Sequence, residues 1–400
     1  MEQVVIVGAG LGGLRTVESL RAEGFAGRIT LVGDEPHAPY DRPPLSKQLL
    51  AGTWPEERVF LHRGELTDLG VSVRLGRSAI GVDRVAVHLD DGSQLPYDAL
   101  VVSTGVRPRR LPGQPDHPDL HVLRTLEDCR GLRDSMSRAH SLLVIGAGFI
   151  GAEVAATACL AGLEVTMLEA LPVPFARVLG EQMGQLCAQL QTDHGVTVRC
   201  GVSLVGFVDS DRGVVARLAD GTTVQADCGV VGIGTVIDDG WLAGLGIPTR
   251  EGLRCDSAGL VEGTSNVYAV GDIAAWQHCT VGDRPRIEHW TSATEQAAVV
   301  AQRLAGKAIT RAADTMPYFW SDQYGLTLQL IGRCDLATSV EVLHDPGIIK
   351  GTVAGYFADD RLVAVLAFQA PRLLNRYRKM VAAGTSRHEV WSTAAELAAR

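Results

Sequence analysis

Val4-Val5-Ile6-Val7-Gly8-Ala9-Gly10-Leu11-Gly12-Gly13-Leu14 stands almost at the start of the chain. A continuous apolar run followed by glycines reads as a strand of a parallel sheet, covered on both faces. In Gly8-x-Gly10-x-x-Gly13 the glycines allow a tight turn, close approach of a diphosphate, and close packing of the next helix. That helix would offer its free N–H groups and positive dipole end to the phosphates. A second strand, Arg28-Ile29-Thr30-Leu31-Val32-Gly33, ends in Asp34-Glu35. Carboxylates about 20 residues beyond the last glycine are where a ribose diol is gripped.

The pattern recurs at Leu142-Leu143-Val144-Ile145-Gly146-Ala147-Gly148-Phe149-Ile150-Gly151, and its second strand, Glu164 to Leu168, ends at Glu169. A single such motif can be a glycine-rich turn without a ligand. Two copies, each between a strand and a helix and each with a terminal acid, point to a duplicated module that binds two dinucleotides. Both copies close on a similar strand, Ala99-Leu100-Val101-Val102-Ser103-Thr104-Gly105 and Gly229-Val230-Val231-Gly232-Ile233-Gly234. Gly8 to Gly105 spans 97 residues and Gly146 to Gly234 spans 88, so the modules match in length. Asn266 to Asp272 reads as a buried strand ending in a lone acid, with a helical stretch from about Trp290 to Leu304 beyond it. That order predicts a return to the first domain once the second is complete.

A length of 400 residues calls for two or three domains. Apolar residues at 46% and charged residues at 21% are globular proportions, and a net charge of −9 gives no general reason to expect nucleic acid. No apolar run reaches the roughly 18 to 20 residues of a membrane span. The apolar run directly after Met1-Glu2-Gln3 argues against a signal peptide, so a cytoplasmic location with no membrane partner is expected. Of the eight cysteines, no two are closer in sequence than Cys187 and Cys200. This excludes a short dithiol motif and paired metal-ligand spacing; buried, reduced thiols and no metal are expected.

Three further stretches carry a resemblance that runs along nearly the whole chain. Pro39-Tyr40-Asp41-Arg42-Pro43-Pro44-Leu45-Ser46-Lys47, Leu123-Arg124-Thr125-Leu126-Glu127-Asp128 and Phe319-Trp320-Ser321-Asp322-Gln323 resemble the FAD-dependent ferredoxin reductases of bacterial cytochrome P-450 and aromatic-ring dioxygenase systems. The resemblance implies an α/β fold with two Rossmann-like dinucleotide-binding domains, glutathione-reductase-like, and a C-terminal α+β domain. The expected boundaries are 1–112 and 250–316 for FAD, 113–249 for NADH, and 317–400 for the last domain. It places Gly12 with Gly8, Gly10 and Gly13 at the FAD diphosphate, and Asp34 with Glu35 at the ribose end. Arg42 and Lys47 lie beside that cofactor, Ala79, Thr104, Gly105 and Arg124 add contacts, and Asp272 meets the ribityl chain. Trp290 would open a helix facing the flavin pyrimidine edge, where a helix N-terminus stabilises negative charge. Gly146, Gly148, Ile150, Gly151, Glu153, Glu169 and Gly234 are the corresponding candidates for NADH.

Four side chains bear on the chemistry. Lys47 is by composition an ordinary exposed lysine, but Pro43-Pro44 stiffens its approach, and the family places it near flavin N5. Glu153, on the first turn after the second glycine motif, is its expected partner, and the pair would position the nicotinamide and neutralise charge during hydride transfer. Glu169 would bond an adenosine 2′-hydroxyl and repel a 2′-phosphate, and Ala170-Leu171-Pro172-Val173-Pro174 has no arginine, which favours NADH. Trp320 fits either a core or, by the resemblance, a place between flavin and outgoing electron.

Enzymes of this architecture that export electrons through a dithiol or a peroxidatic cysteine need that cysteine beside the flavin, and residues 36–60 contain none. The expected reaction is hydride transfer from NADH to FAD, then single-electron transfer to an acidic 2Fe-2S ferredoxin. A rubredoxin or monodehydroascorbate-type acceptor, or a redox-sensing FAD/NADH-binding interaction protein, stays open. Two stretches depart from the family, Ile237-Asp238-Asp239 and Ala367-Phe368-Gln369-Ala370. Between Ala370 and Arg387 lie Arg372, Arg376, Arg378, Lys379 and Arg387 with no acid. Helical spacing would put Arg372, Arg376 and Lys379 on one face, either simply solvated or a ferredoxin-docking surface. Arg303, Lys307 and Arg311 form the alternative basic group. A monomer or weak homodimer is expected.

Overall fold

The computed structural model describes residues 1–210, 212–277, 283–310 and 316–398. The α-helices in this range are α1 (Leu11–Ala22), α2 (Leu126–Arg138), α3 (Phe149–Leu160), α4 (Ala176–Asp193), α5 (Trp290–Leu304), α6 (Pro371–Ala383) and α7 (Arg387–Ala398). The chain forms two units. One comprises Met1–Asp41, Glu56–Arg107 and Val236–Pro317; the other comprises Arg42–Pro55, Pro108–Thr235 and Tyr318–Arg400.

The first unit is organised by a parallel five-stranded sheet in the order Val267–Ala269, Ala99–Val102, Gln3–Val7, Arg28–Gly33, Val71–Leu75. Gln3–Val7 is central, and Val4, Val5 and Ile6 are inaccessible to solvent, as its unbroken apolar pattern requires. The strand end is pinned on both sides: Gly8 N–H donates to Val32 O at 2.8 Å, and Ser103 N–H donates to Val7 O at 2.7 Å. Gly8 then turns with φ +112°, a region closed to most side chains, and a Cβ there would lie 2.2 Å from Ser103 O. The turn delivers the chain into α1, which buries Leu14, Val17 and Leu20, each worth roughly 1.5–3 kcal/mol of transfer free energy. Helix α5 returns to the same core with Val299, Val300 and Leu304. An antiparallel insert of Ala79–Val82, Ala86–Leu89 and Gln94–Pro96 separates the third strand from Ala99–Val102.

The second unit repeats this plan. Its parallel sheet runs Thr197–Arg199, Glu164–Leu168, Ser141–Ile145, Cys228–Val231, Leu120–His121. Gly146 N–H donates to Leu168 O and Gly232 N–H to Ile145 O, both at 2.8 Å, reproducing the pins of the first unit. An antiparallel insert, Leu204–Val208, Val214–Leu218 and Thr223–Ala226, stands in the same place in the order.

To this unit belongs a five-stranded antiparallel sheet ordered Tyr318–Gln323, Leu326–Gly332, Arg361–Phe368, Val353–Ala358, Ser339–His344. Helix α6 packs on it through Leu374 and Tyr377. The first two strands are joined by Tyr324-Gly325, with φ +53° and +74°. Positive φ at both positions is what a type I′ hairpin turn requires.

The two helix-opening glycines of the second motif differ in what they tolerate. A Cβ on Gly151 would lie 2.1 Å from Gly146 O, whereas a Cβ on Gly148 meets nothing within 4 Å. Gly151→Ala is therefore expected to cost about 1–3 kcal/mol through forced displacement of backbone. Gly148→Ala should stay below about 1 kcal/mol, since a cap glycine gives up little there. Denaturant titration without nucleotide checks both; equal losses would show that the third glycine is not a packing constraint.

Candidate active site

Each glycine motif leaves a helix N-terminus without an internal partner. Gly10 and Gly148 are the N-caps of α1 and α3, neither cap has a side-chain hydrogen bond, and neither first turn carries an acid. At both positions the space a Cβ would take is open. Free N–H groups, the positive helix end and an unobstructed approach together fit a diphosphate. Cradles of this kind suit a dinucleotide such as FAD or NADH in each unit.

The acids after the second strands differ. Asp34 is exposed and lies 3.8 Å from Arg107, which also pairs with Asp238 at 2.7 Å; Asp238 belongs to one of the stretches that depart from the family. Glu35 instead accepts the hydroxyl of Tyr40. In the second unit Glu169 takes two backbone hydrogen bonds, from Ala147 N–H at 2.8 Å and Leu171 N–H at 2.9 Å. It thus ties the glycine loop to the strand end as well as presenting a carboxylate. Gly234 turns with φ +102° into open space, and Gly105 has φ +68°. Thr104 and Ile150 are exposed, and Ala79 is half-buried.

At the end of the first unit Asp272 lies in a tight turn whose Gly271 N–H is held by Gln296 Oε1 at 2.8 Å, while Asp272 O accepts Arg286. Trp290 is the first residue of α5, and its indole N–H donates to Asp41 at 2.9 Å. The helix begins without an acid or a side-chain cap. Burial pushes its N-cap, His289, down to about 4, so that ring is neutral at pH 7.

The Leu123–Asp128 motif has a local reason. Thr125 and Asp128 form a capping box at the start of α2, and Asp128 also takes Arg124 N–H at 2.9 Å. Arg42 donates to Arg124 O, so the motif anchors the Pro-rich segment as well as the helix.

Within the second unit, Lys47 and Glu153 meet. Lys47 Nζ is 2.9 Å from Glu153 Oε2, with only 10% and 4% of the two side chains exposed. Ser46 Oγ donates to the same oxygen, and Ser321 Oγ donates to Oε1 at 2.8 Å. One helical turn further along α3, Thr157 Oγ1 donates to Ser46 O at 2.9 Å. Residues i and i+4 of α3 thereby grip Ser46 from one face, and the lysine follows directly after it. Sequence reading paired Lys47 with Glu153 but missed Ser46 and Ser321. Ser321 stood inside the quoted Phe319–Gln323 stretch, where alternation along a strand puts it opposite Trp320. Trp320 is half-buried and stacks with Tyr318, ring centroids 6.0 Å apart.

The described cysteines are thiols rather than disulfides, and Cys279 lies outside the described residues. Burial pushes Cys187 and Cys228 up to about 12 and Cys334 up to about 11, and it raises Cys200 and Cys255 as well. Such thiols hold almost no thiolate at neutral pH and are poor partners for disulfide exchange. Among the described residues no group of three His, Cys, Asp or Glu side chains could hold a metal ion. No described helix is long and apolar enough to cross a membrane.

The basic stretch near the C-terminus forms α6 as its spacing predicts. Arg372, Arg376, Arg378 and Lys379 are exposed and form no ion pair among the described residues. Arg387 differs: it bonds Glu341 and lies over the Phe357 ring at 4.8 Å. In the alternative group Arg303 pairs with Asp256 and Lys307 with Glu23, both at 2.9 Å, and Arg311 lies outside the described residues.

Residues 2–297 match the pyridine nucleotide-disulphide oxidoreductase family and residues 318–397 match the reductase C-terminal family. The chain belongs to the pyridine nucleotide-disulphide oxidoreductases. It is an oxidoreductase of the FAD- and NAD(H)-dependent kind. Rhodocoxin reductase of Rhodococcus erythropolis is 36% identical, covering 93% of this chain and 84% of that one. The ferredoxin reductase component of chlorobenzene dioxygenase from a Cupriavidus species is also 36% identical, covering 92% and 90%. Among solved structures, a covalent putidaredoxin reductase–putidaredoxin complex matches with a TM-score of 0.92 at 32% identity, covering 97% of this chain and 95% of that one.

Removing Glu153 would leave Lys47 and two serines buried without their acceptor. Breaking a buried pair from one side costs about 3–5 kcal/mol. Glu153→Ala should therefore be far more destabilising than Glu127→Ala, which removes a largely exposed partner of Arg130, worth below about 1 kcal/mol. Urea unfolding compares the two, and similar losses would show that the buried cluster is not held by the carboxylate.

Proposed function

We propose that this chain is an NADH-dependent ferredoxin reductase serving an oxygenase of the cytochrome P-450 or ring-hydroxylating dioxygenase type. The observation that carries it is the pair of glycine cradles, each with an open helix N-terminus, in a chain where burial raises the thiols of Cys187, Cys200, Cys228, Cys255 and Cys334. FAD, when bound, takes two electrons from NADH as hydride and releases them singly. Likeness to ferredoxin reductases over more than nine-tenths of the chain supports a 2Fe-2S ferredoxin as acceptor. A cytoplasmic location and a monomer or weak homodimer belong to the same reading.

In this reading the first cradle, within 1–112 and 250–316, takes FAD through Gly8, Gly10, Gly12 and Gly13, with Asp34 and Glu35 at the ribose. Thr104, Gly105, Ala79, Asp272 and Trp290 complete the set, and contacts from Arg42, Lys47 and Arg124 rest on the family resemblance alone. The second cradle, within 113–249, takes NADH through Gly146, Gly148, Ile150, Gly151 and Gly234. Glu169 selects against a 2′-phosphate. Glu153 holds Lys47 as a fixed positive charge for the hydride step, and Trp320 stands on the electron-exit side. The domain from 317 to 400 carries the docking face on α6.

Three outcomes test this. Anaerobic NADH should bleach the visible flavin absorbance, and added ferredoxin should then support cytochrome c reduction; a flavin that NADH does not reduce would end the reading. NADPH should be the poorer donor by about 1–3 kcal/mol, roughly 5- to 150-fold in kcat/KM. Glu169→Ala should narrow that gap mainly by weakening NADH, and equal kcat/KM for the two donors in the wild type would remove the assignment of Glu169.

Docking gives the next expectation. The protein is acidic overall, yet α6 exposes four cations that form no ion pair among the described residues, a field that steers an acidic partner and fades with salt. Arg376→Glu with Lys379→Glu should raise KM for an acidic 2Fe-2S ferredoxin several-fold and flatten its salt dependence, leaving NADH–ferricyanide activity near wild type. Ferredoxin kinetics indifferent to the double reversal would place docking elsewhere.

A further inference from the structure

The second oxygen of Glu153 leads into a buried chain of hydrogen bonds. Ser321 Oγ is 2.8 Å from Glu153 Oε1, Gln323 Nε2 is 3.1 Å from Ser321 Oγ, and Gln191 Nε2 is 2.8 Å from Gln323 Oε1. The Tyr324 hydroxyl ends the chain, 2.6 Å from Gln191 Oε1. All five residues lie in the second unit, and Ser321, Gln323 and Gln191 are at most 3% exposed. Glu153 comes from α3 and Gln191 from α4, while Ser321, Gln323 and Tyr324 come from the first strand of the C-terminal sheet and its turn.

One group fixes the direction of every bond. The carbonyl of Ala152 can only accept, and it lies 3.3 Å from Gln191 Nε2. Gln191 therefore turns its NH₂ toward Ala152 and Gln323, and its carbonyl toward Tyr324. Gln323 then offers its own carbonyl to Gln191 and its NH₂ to Ser321. With its oxygen receiving that bond, Ser321 directs its proton to the carboxylate. Each of the four links in the chain donates toward Glu153, so their dipoles add. No member can reverse alone without leaving a buried donor facing a donor.

Tyr324 shows what the arrangement demands of the backbone. It takes φ +53° at the hairpin position where Asn or Gly is favoured. Its ring is stacked on His194, centroids 3.8 Å apart and planes 12° from parallel. Burial raises its hydroxyl above the usual tyrosine range, which keeps it a donor. A bulky residue held at an unfavourable φ by both ring and hydroxyl is an anchor.

We propose that Tyr324, Gln191, Gln323 and Ser321 form a one-way hydrogen-bonded strut that sets the Glu153 carboxylate, and through it Lys47, for the hydride step. It rests on the reading of Lys47 and Glu153 given under Proposed function. The four act as positioning residues, through Glu153. The strut also explains why the sheet strand carrying Trp320 alternates polar Ser321 and Gln323 on its buried face, where apolar residues would pack more simply.

Two readouts on the full chain test this. In the holoprotein, Ser321→Ala and Gln191→Leu should slow anaerobic flavin reduction by NADH about tenfold, the scale of a small misplacement near a reacting centre. Ser321→Ala added to Lys47→Ala should slow it no further, because the strut acts only through that lysine. In the apoprotein, acetic anhydride labelling of Lys47, read by mass spectrometry against exposed Lys307, should rise several-fold in Ser321→Ala. Tyr324→Phe, which removes only the hydroxyl, should give a smaller rise and serves if Ser321→Ala folds poorly. A slow Lys47→Ala with unchanged rate and labelling in Ser321→Ala and Tyr324→Phe overturns the strut alone. Additive slowing in the double variant also overturns it, as a generic packing effect. Lys47→Ala with an unaltered reduction rate would defeat the reading of Lys47 itself.

Discussion

A buried carboxylate must be given donors or it cannot stay buried, and in the second unit that requirement falls on Glu153. It is 3% exposed and sits on the first turns of α3. Its donors come from widely separated parts of the chain: Ser46 and Lys47 from the Pro-rich segment, and Ser321 from the C-terminal sheet. The desolvation of such a charge outweighs any single one of these bonds. The two segments therefore hold the carboxylate together or not at all. That makes the local geometry of Lys47 a consequence of the fold of the whole unit, since its backbone neighbour Ser46 is also held by Thr157 of the same helix.

Helix α3 can present Glu153 there only because the glycine turn before it allows the helix to start so close to the strand. Gly146 and Gly151 approach each other to within a distance that no Cβ permits, and the same is true of Gly8 and Gly13 in the first unit. The motifs differ at two positions, Leu11 against Phe149 and Gly12 against Ile150, and the second bears on packing. A Cβ at Gly12 would come 3.2 Å from Val270 Cγ2, because the returning strand Val267–Ala269 adds a fifth member to the first sheet and brings Val270 against the turn. The second sheet has Leu120–His121 in that place, and Ile150 stays 43% exposed. A shared turn thus carries a local mark of what each unit packs beside it.

What the sequence disclosed follows the range of the interactions involved. The strand–turn–helix units, the acids Asp34 and Glu169, the helix opened by Trp290 and the helical spacing of Arg372, Arg376 and Lys379 all depend on residues a few places apart, and all were legible. The pairing of Lys47 with Glu153 spans 106 residues and was reached through a resemblance. Ser321, Gln323 and Gln191 could not be read as a buried chain, because polar residues in a strand or helix look like a solvent face until the opposing element is known. The same blindness to distance counted Arg387 among the basic residues of its stretch, though Glu341 neutralises it from the strand Ser339–His344. Asp34 and Glu35, adjacent in sequence, were read together, yet in the bend beyond the strand Asp34 is exposed beside Arg107 and Glu35 meets Tyr40.

Charge is consequently used in two opposite ways within one unit. Lys47 is desolvated, held by one carboxylate and stiffened by Pro43-Pro44, so its position is defined and its field acts at short range in a low dielectric. Arg372, Arg376, Arg378 and Lys379 are exposed, without ion pairs among the described residues, so their field extends over about a Debye length into solvent and is open to salt. A fixed charge can stabilise charge that moves by an ångström during a reaction; a diffuse one can only bias how a partner approaches. The fold keeps these tasks apart by burying one cation behind a polar chain and projecting the others from α6, whose apolar side is occupied by Leu374 and Tyr377. Exchanging the two arrangements would fail on both counts. An unpaired lysine in the buried position would lose its charge or its place, and paired arginines on the helix would cancel the field that reaches a partner.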